Sequence, residues 1–345
     1  EDHNVTHAHI INATAKLAKI PQHMIDIEER NQIESLSARL KDIVYGQDHV
    51  IDTVEEAIIL NKSGVEQKTR PIGCYLLTGK TGTGKTYFAK SLASELGVKL
   101  VRFDMSEYQE KHTVAKLIGA PPGYVGHGDG GSGSGLLTSA IENDPNCVLL
   151  LDEIEKAAPE VTQILLQVMD DGRLTSSNGQ TVDFSNCILL MTSNLGAADS
   201  EVRAIGFGSH EKQGVEDQAI RKFFPPEFRN RLDRILHFNS LTQDHMLLIV
   251  DRHIDEINAQ LKPQKVSVTV NVTAKRWIAE QGFDPKMGAR PLERLIRDKI
   301  KKPLAREIVL GKLSSGGKAR VSLVKDDLKL DLPKKTAKKK KTTKS

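Results

Sequence analysis

The chain has 345 residues, 39% of them hydrophobic and 27% charged, enough for two ordinary domains and typical of a globular protein that folds in water. Seven lysines (Lys334, Lys335, Lys338, Lys339, Lys340, Lys341 and Lys344) crowd the end; taking them from the net +4 leaves −3, a mildly acidic body that argues against a nucleic-acid partner. No apolar run approaches the ~20 residues of a membrane helix, and the eleven histidines lack metal-ligand spacing, so neither a membrane span nor a structural metal is expected.

Cys74, Cys147 and Cys187 each lie in or beside an apolar run and read as buried reduced thiols, which fits a reducing, cytoplasmic setting. With Glu1 first and no signal pattern behind it, the chain reads as a piece of something longer. Residues 1–32 are polar, mixed and broken by Pro21. Ile33, Leu36, Leu40 and Ile43 then recur at helical spacing up to Gly46. From 71 to 195 short apolar runs alternate with helical patterns. Tyr75–Leu77 is a strand entering a Gly-rich turn, and residues 86–96 follow as a helix with Phe88, Leu92 and Leu96 on one face, stopped by Gly97. Val148–Leu151 and Ile188–Met191 are unbroken apolar runs, as parallel strands covered on both faces require. Val161, Ile164, Leu165, Val168 and Met169 mark an amphipathic helix between them. This alternation predicts an α/β fold with a parallel sheet. After about 240, helical patterns at 241–262 and 273–312 and short strands around Val266–Val270 and Val321–Val324 predict a small, mostly helical α+β domain. Residues 333–345 are too poor in apolar side chains to pack.

Gly79-Lys80-Thr81-Gly82-Thr83-Gly84-Lys85-Thr86 fits the Walker A pattern and sits between a strand and a helix. Glycines let successive N–H groups turn inward around phosphates, and the helix start adds a positive end. Lys85 supplies a full charge to the β- and γ-phosphates, and Thr86 can ligate Mg²⁺. Val148–Leu151 delivers Asp152 and Glu153 at the carboxyl end of its strand, where α/β sheets bind ligands. Asp152 is the expected Mg²⁺ partner, and Glu153 the general base that polarises the attacking water. Asn194, just past the strand Ile188–Met191, suits a residue that holds this water without neutralising Glu153; an asparagine that merely ends a strand is the competing reading.

Longer strings carry a resemblance. Arg102 to Tyr108, Gly119 to Gly126, Leu149 to Ala157, Pro226 to Asp233 and Met287 to Pro291 together resemble the second AAA+ module of the Clp/heat-shock unfoldases, closest to the ClpA branch, over about residues 1–325. The resemblance implies a linker (1–32), a large AAA+ nucleotide-binding domain (33–239), a small lid domain (240–332) and a Lys-rich tail (333–345). It implies an ATPase that threads unfolded or tagged proteins through a self-assembled ring, of six subunits by analogy, into a ClpP-type peptidase. Val44 and Tyr45 then hold adenine, Arg231 is the arginine finger offered to a neighbour, and Arg290 is the sensor-2 arginine. Gly123, Tyr124, Val125 and Gly126 form the pore loop that grips substrate. Ile205, Gly206 and Phe207 dock on the peptidase, with a buried loop anchor as the alternative. A protease-independent disaggregase is the runner-up, and a nucleic-acid motor a more distant one. Two departures stand out: a Gly/Ser-rich stretch at 128–135 longer than the family carries, and Lys80 in place of proline.

Overall fold

Alternate residues of the apolar runs face different layers of helices, and this sets the architecture. The computed structural model describes residues 33–65, 69–119, 135–176, 179–196, 209–284 and 287–332. Helices α1 (Leu36–Lys41) and α2 (Asp48–Ser63) come first, then strand β1 (Gly73–Thr78), helix α3 (Lys85–Glu95) and strand β2 (Lys99–Asp104). Helices α4 (Lys111–Ile118) and α5 (Leu136–Asn143) lead to β3 (Cys147–Asp152). Helix α6 (Pro159–Asp171) leads to an antiparallel hairpin of β4 (Arg173–Thr175) and β5 (Thr181–Asp183). Strand β6 (Ile188–Thr192), helices α7 (Ser209–Phe223) and α8 (Pro226–Arg229) and strand β7 (Arg234–His237) follow.

Five of these strands form one parallel sheet in the order β2-β3-β6-β1-β7. Cys74, Leu76, Leu149, Leu151, Leu189 and Met191 face one core, shared with α4 to α8. Tyr75, Leu77, Val148, Leu150, Ile188 and Leu190 face the other, under α1, α2 and α3. Each central strand is therefore buried on both sides, as its unbroken apolar sequence requires. The edge strands β2 and β7 escape sequence reading because charged residues such as Lys99, Arg102 and Arg234 sit on their exposed positions.

The rest builds a second core from α9 (Gln243–Leu261), β8 (Val266–Val270), α10 (Val272–Gln281), α11 (Arg290–Ile296), α12 (Lys302–Val309), β9 (Gly317–Val324) and β10 (Asp327–Asp331). Its strands run β10-β9-β8, with β8 parallel to β9. The stretch read as helical over 273–312 is three helices. A turn closed by paired hydrogen bonds between Asp284 and Gly288 separates the first two. A wide π-turn at Arg297–Lys301 precedes Pro303, whose missing N–H removes a helix bond. Among the described residues no helix is long and apolar enough to cross a membrane. The three cysteines are buried and free, but two of them are not isolated: Cys147 and Cys187 approach within 3.6 Å. Nothing in their sequence separation announces this.

Candidate functional site

The insertion of β6 between β1 and β3 decides the layout of the site. It sets the turn after β1, the end of β6 and the carboxylates ending β3 side by side at the carboxyl edge of the sheet. A cleft of about 460 Å³ opens there, lined by the turn Thr81–Thr86, Asp152, Glu153, Thr192, Asn194, Val44, Tyr45 and Arg290 among others.

Positive φ at Gly79 (123°), Gly82 (76°) and Gly84 (103°) lets the turn wrap, and Gly84 is the N-cap of α3. Lys85 is 7% exposed. Its Nζ donates to Gly79 O (2.6 Å), Lys80 O (3.0 Å) and Asn194 Oδ1 (2.8 Å). Burial pushes its ammonium from 10.5 down to about 8, against the opposing pull of Glu155, Glu216, Asp152 and Glu153. A buried cation at a helix start, short of charged partners, is matched to an anionic ligand. Lys80, the departure in this turn, contributes its carbonyl, which accepts from Thr83 Oγ1 (2.9 Å) as well as from Lys85.

Asp152 is 7% exposed and accepts from three side chains. Thr192 Oγ1 lies at 2.5 Å, Arg102 Nη2 at 2.7 Å, and Thr86 Oγ1 at 3.3 Å. A hydroxyl and a carboxylate at that spacing, facing the same cleft, are the hard oxygen donors Mg²⁺ takes together with phosphate oxygens. Glu153 sits in the left-handed region at φ 57°, ψ 52°. Its N–H donates to Thr192 Oγ1 (2.9 Å), and its carboxylate pairs with Lys156 (2.5 Å). Left-handed backbone at a non-glycine residue costs on the order of 1 kcal/mol, and such strain concentrates at functional sites. Asn194 is held twice, by Lys85 on its side chain and by Glu155 Oε1 on its N–H (3.1 Å). The side-chain bond sets Asn194 beside Lys85 in the cleft, whereas the N–H bond is open to any residue at that position.

Val44 and Tyr45 line the far wall of the cleft. Gln47, fully buried, clamps this segment by exchanging two 2.9 Å bonds with Asn239. Arg290 enters from α11, so the second core supplies part of the wall. The two parts meet closely: Ala289 N donates to Gly82 O (3.2 Å). Arg231 points elsewhere. It bonds Asp170 Oδ2 (2.5 Å) at the end of α6 and Glu227 O (2.8 Å). Gly123, Tyr124, Val125 and Gly126, and Ile205, Gly206 and Phe207, lie outside the described residues. Sequence reasoning missed Arg102, Thr192, Glu155 and the Gln47–Asn239 clamp. Only Thr192 had a sequence signal, as a polar residue closing an apolar strand two positions before Asn194.

Comparison with known proteins gives the family. Residues 70–235 match the family described as AAA domain (Cdc48 subfamily), and residues 241–321 match the C-terminal, D2-small domain of ClpB protein. A ClpA homolog protein from Fuscovulum blasticum is 50% identical over 313 residues, 91% of this chain and 39% of its own length. The chain belongs to the Clp/Hsp100 family, as a second AAA+ module. The chaperone protein ClpB of Staphylococcus epidermidis (strain ATCC 35984) is 42% identical over 317 residues, 90% of this chain and 36% of that protein. A closed-state cryo-EM reconstruction of Hsp104 with ATPγS and FITC casein superposes with TM-score 0.82 at 36% identity, covering 95% of this chain and 56% of that one. The Clp/Hsp100 module thus spans about two fifths of the length of the curated relatives it matches. Proteins of this family are ATPases, and the α/β fold with its parallel five-stranded sheet and small helical partner is theirs.

Proposed function

We propose that this module hydrolyses ATP in the cleft and uses the cycle to thread protein substrates through a ring of its own copies into a ClpP-type peptidase. The observation that carries the ATPase reading is the convergence of Lys85, Asn194, Thr86, Asp152 and Glu153 from three adjacent strands, under a wall that includes Arg290. Val44 and Tyr45 hold the adenine. Gly79, Thr81, Gly82, Thr83 and Gly84 present the backbone to the phosphates, and Lys85 binds their outer oxygens. Thr86 and Asp152 would hold Mg²⁺, which when bound neutralises charge on the β- and γ-phosphates. Glu153 takes the proton of the attacking water, and Asn194 keeps that water in place. Arg290 senses the γ-phosphate across the domain boundary near 240. Arg231, which faces away from its own cleft, is offered to a neighbour's γ-phosphate; this makes hydrolysis depend on assembly.

Tyr124 in its glycine-flanked loop gives a sequence-blind grip on substrate. The peptidase partner is supported by the tripeptide Ile205-Gly206-Phe207 and by the likeness to a ClpA homolog. The chaperone protein ClpB and Hsp104 relatives support the second reading, a disaggregase that works without a peptidase. A cytoplasmic setting goes with either. One experiment separates them: degradation of a tagged, stably folded protein with ATP and ClpP, comparing the unaltered chain with Phe207→Ala and Glu153→Gln. Loss of degradation in Phe207→Ala with ATP turnover retained supports peptidase coupling; equal ATP-driven unfolding with and without ClpP supports disaggregation. Glu153→Gln is expected to bind ATP and fail to turn it over, and normal turnover there refutes the assigned base.

A further inference from the structure

We propose that Cys147 and Cys187 are a site of reversible oxidative modification, forming an intramolecular disulfide that staples the start of β3 to the start of β6. Val148 pairs with Ile188 in the parallel register, so Cys147 and Cys187 stand opposite each other one position earlier. Adjacent strands lie ~4.8 Å apart, within the 4.4–6.8 Å Cα separation a disulfide spans. Both side chains point to the same core, and their sulfurs are 3.6 Å apart. Closing to the ~2.0 Å of an S–S bond takes a small χ1 adjustment at the two strand beginnings, where the ladder has no earlier rung. Exposed Asn146 and half-buried Asn186 precede the two cysteines, so the pair lies one residue beneath the surface. The third thiol is different: Cys74 lies on β1 opposite Leu189, and burial pushes it up to about 12.

The contact with Cys187 holds the Cys147 thiol below its ordinary value; burial and Asp144 oppose this, and Lys99, opposite it on β2, adds to it. Cys187 is pushed up by the same contact and by burial, and its Sγ also lies 3.3 Å from Pro145 O. Either sulfur can attack first and the other then resolves it; the steps balance the same way in both orders. With hydrogen peroxide as oxidant and Cys147 attacking first, its thiolate attacks one oxygen, the O–O bond breaks, and the other oxygen leaves as hydroxide, which takes a proton to become water. Cys147 is left as a sulfenic acid. Cys187, losing its proton to solvent, attacks that sulfur; the S–S bond forms, the S–O bond breaks and a second water leaves. Two thiols are oxidised by two electrons and one peroxide is reduced. The bond forms at the end of the sheet opposite Asp152 and Asn194, so it leaves the nucleotide cleft untouched.

The test treats the folded chain with hydrogen peroxide, removes the oxidant, blocks free thiols with N-ethylmaleimide in denaturant and maps the unreduced digest by mass spectrometry. The expected result is a Cys147 peptide joined to a Cys187 peptide, two hydrogens lighter than their sum. Cys74 stays alkylated, and two of the chain's three thiols are lost and then restored by dithiothreitol. A sample unfolded in urea before oxidation is expected to lose this selectivity. The proposal is overturned if Cys147 and Cys187 both remain alkylatable. It is equally overturned if Cys147 ends as a sulfinic acid with no linked peptide, if the link involves Cys74 or a second chain, or if the unfolded chain gives the same pairing. No variant has to fold for these outcomes to be read.

Discussion

Lys85 is the side chain whose chemistry is most altered by its surroundings. Its ammonium stands at about 8 because it is buried, and a bound phosphate holds it charged. The free site is therefore protonated at pH 7 and largely neutral at pH 9, so binding above pH 8 must take up a proton. Affinity for a non-hydrolysable ATP analogue is expected to fall about tenfold from pH 7 to pH 9, one proton per binding event. Titration calorimetry across that range checks it, and a flat profile contradicts it. Glu153 shows the other cost of function. Its left-handed backbone suits glycine better, so Glu153→Gly is expected to raise stability by ~1 kcal/mol while abolishing hydrolysis. Thermal denaturation and an ATPase assay on one preparation decide this, and a lowered melting temperature refutes the strain argument.

At the scale of elements, a titratable cluster joins β7 to α7. His237 ends β7, and its Nδ1 lies 2.9 Å from Thr78 Oγ1 and 3.2 Å from Glu216 Oε2 on α7. Nε2 reaches Asp217 Oδ1 at 3.3 Å. The hydrogen bond to Glu216, with Asp217 nearby, raises the imidazole above 6.5 against the effect of burial. A raised histidine stabilises the fold fully below its unfolded value and loses that contribution as pH rises through the folded one. Glu216→Gln is thus expected to lower the melting temperature most below pH 6.5, and progressively less as pH rises through the raised value. A deficit independent of pH over 5.5–8.5 tells against this coupling. Because Thr78 immediately precedes the Walker A turn, the same contact ties α7 to the phosphate cradle.

Across the whole molecule, the two cores meet backbone to backbone over the phosphate turn. Gly288, at φ 60°, lies so close that a Cβ there would stand 2.6 Å from Gly82 O and 2.9 Å from Thr81 O. Gly288→Ala has to part the small domain from the turn, carrying Arg290 with it. Nucleotide turnover is expected to drop at least tenfold, the scale of a misplaced positioning group, while circular dichroism shows both domains folded. Unchanged turnover in a folded variant means this seam is incidental to the cycle. The same seam explains why the Met287–Pro291 string, remote from the Walker motifs in sequence, belongs to the same site.

What the sequence determined by itself was local: the Walker A turn, the apolar runs of β3 and β6, the carboxylates Asp152 and Glu153, and the amphipathic α6. Each is written in consecutive residues whose glycines, charges or periodicity act over a few bonds. The tertiary structure alone decided the rest. Arg102 and Thr192 meet Asp152 only because β2, β3 and β6 are neighbours in the sheet. Gln47 finds Asn239 across 192 positions. Cys147 and Cys187, which read as unrelated thiols, become a pair through strand register. Such contacts form because sheet pairing is non-local, so no spacing along the chain encodes them. The edge strands β2 and β7 were illegible for a related reason: half of each faces solvent, and their burial depends on neighbours the chain supplies elsewhere.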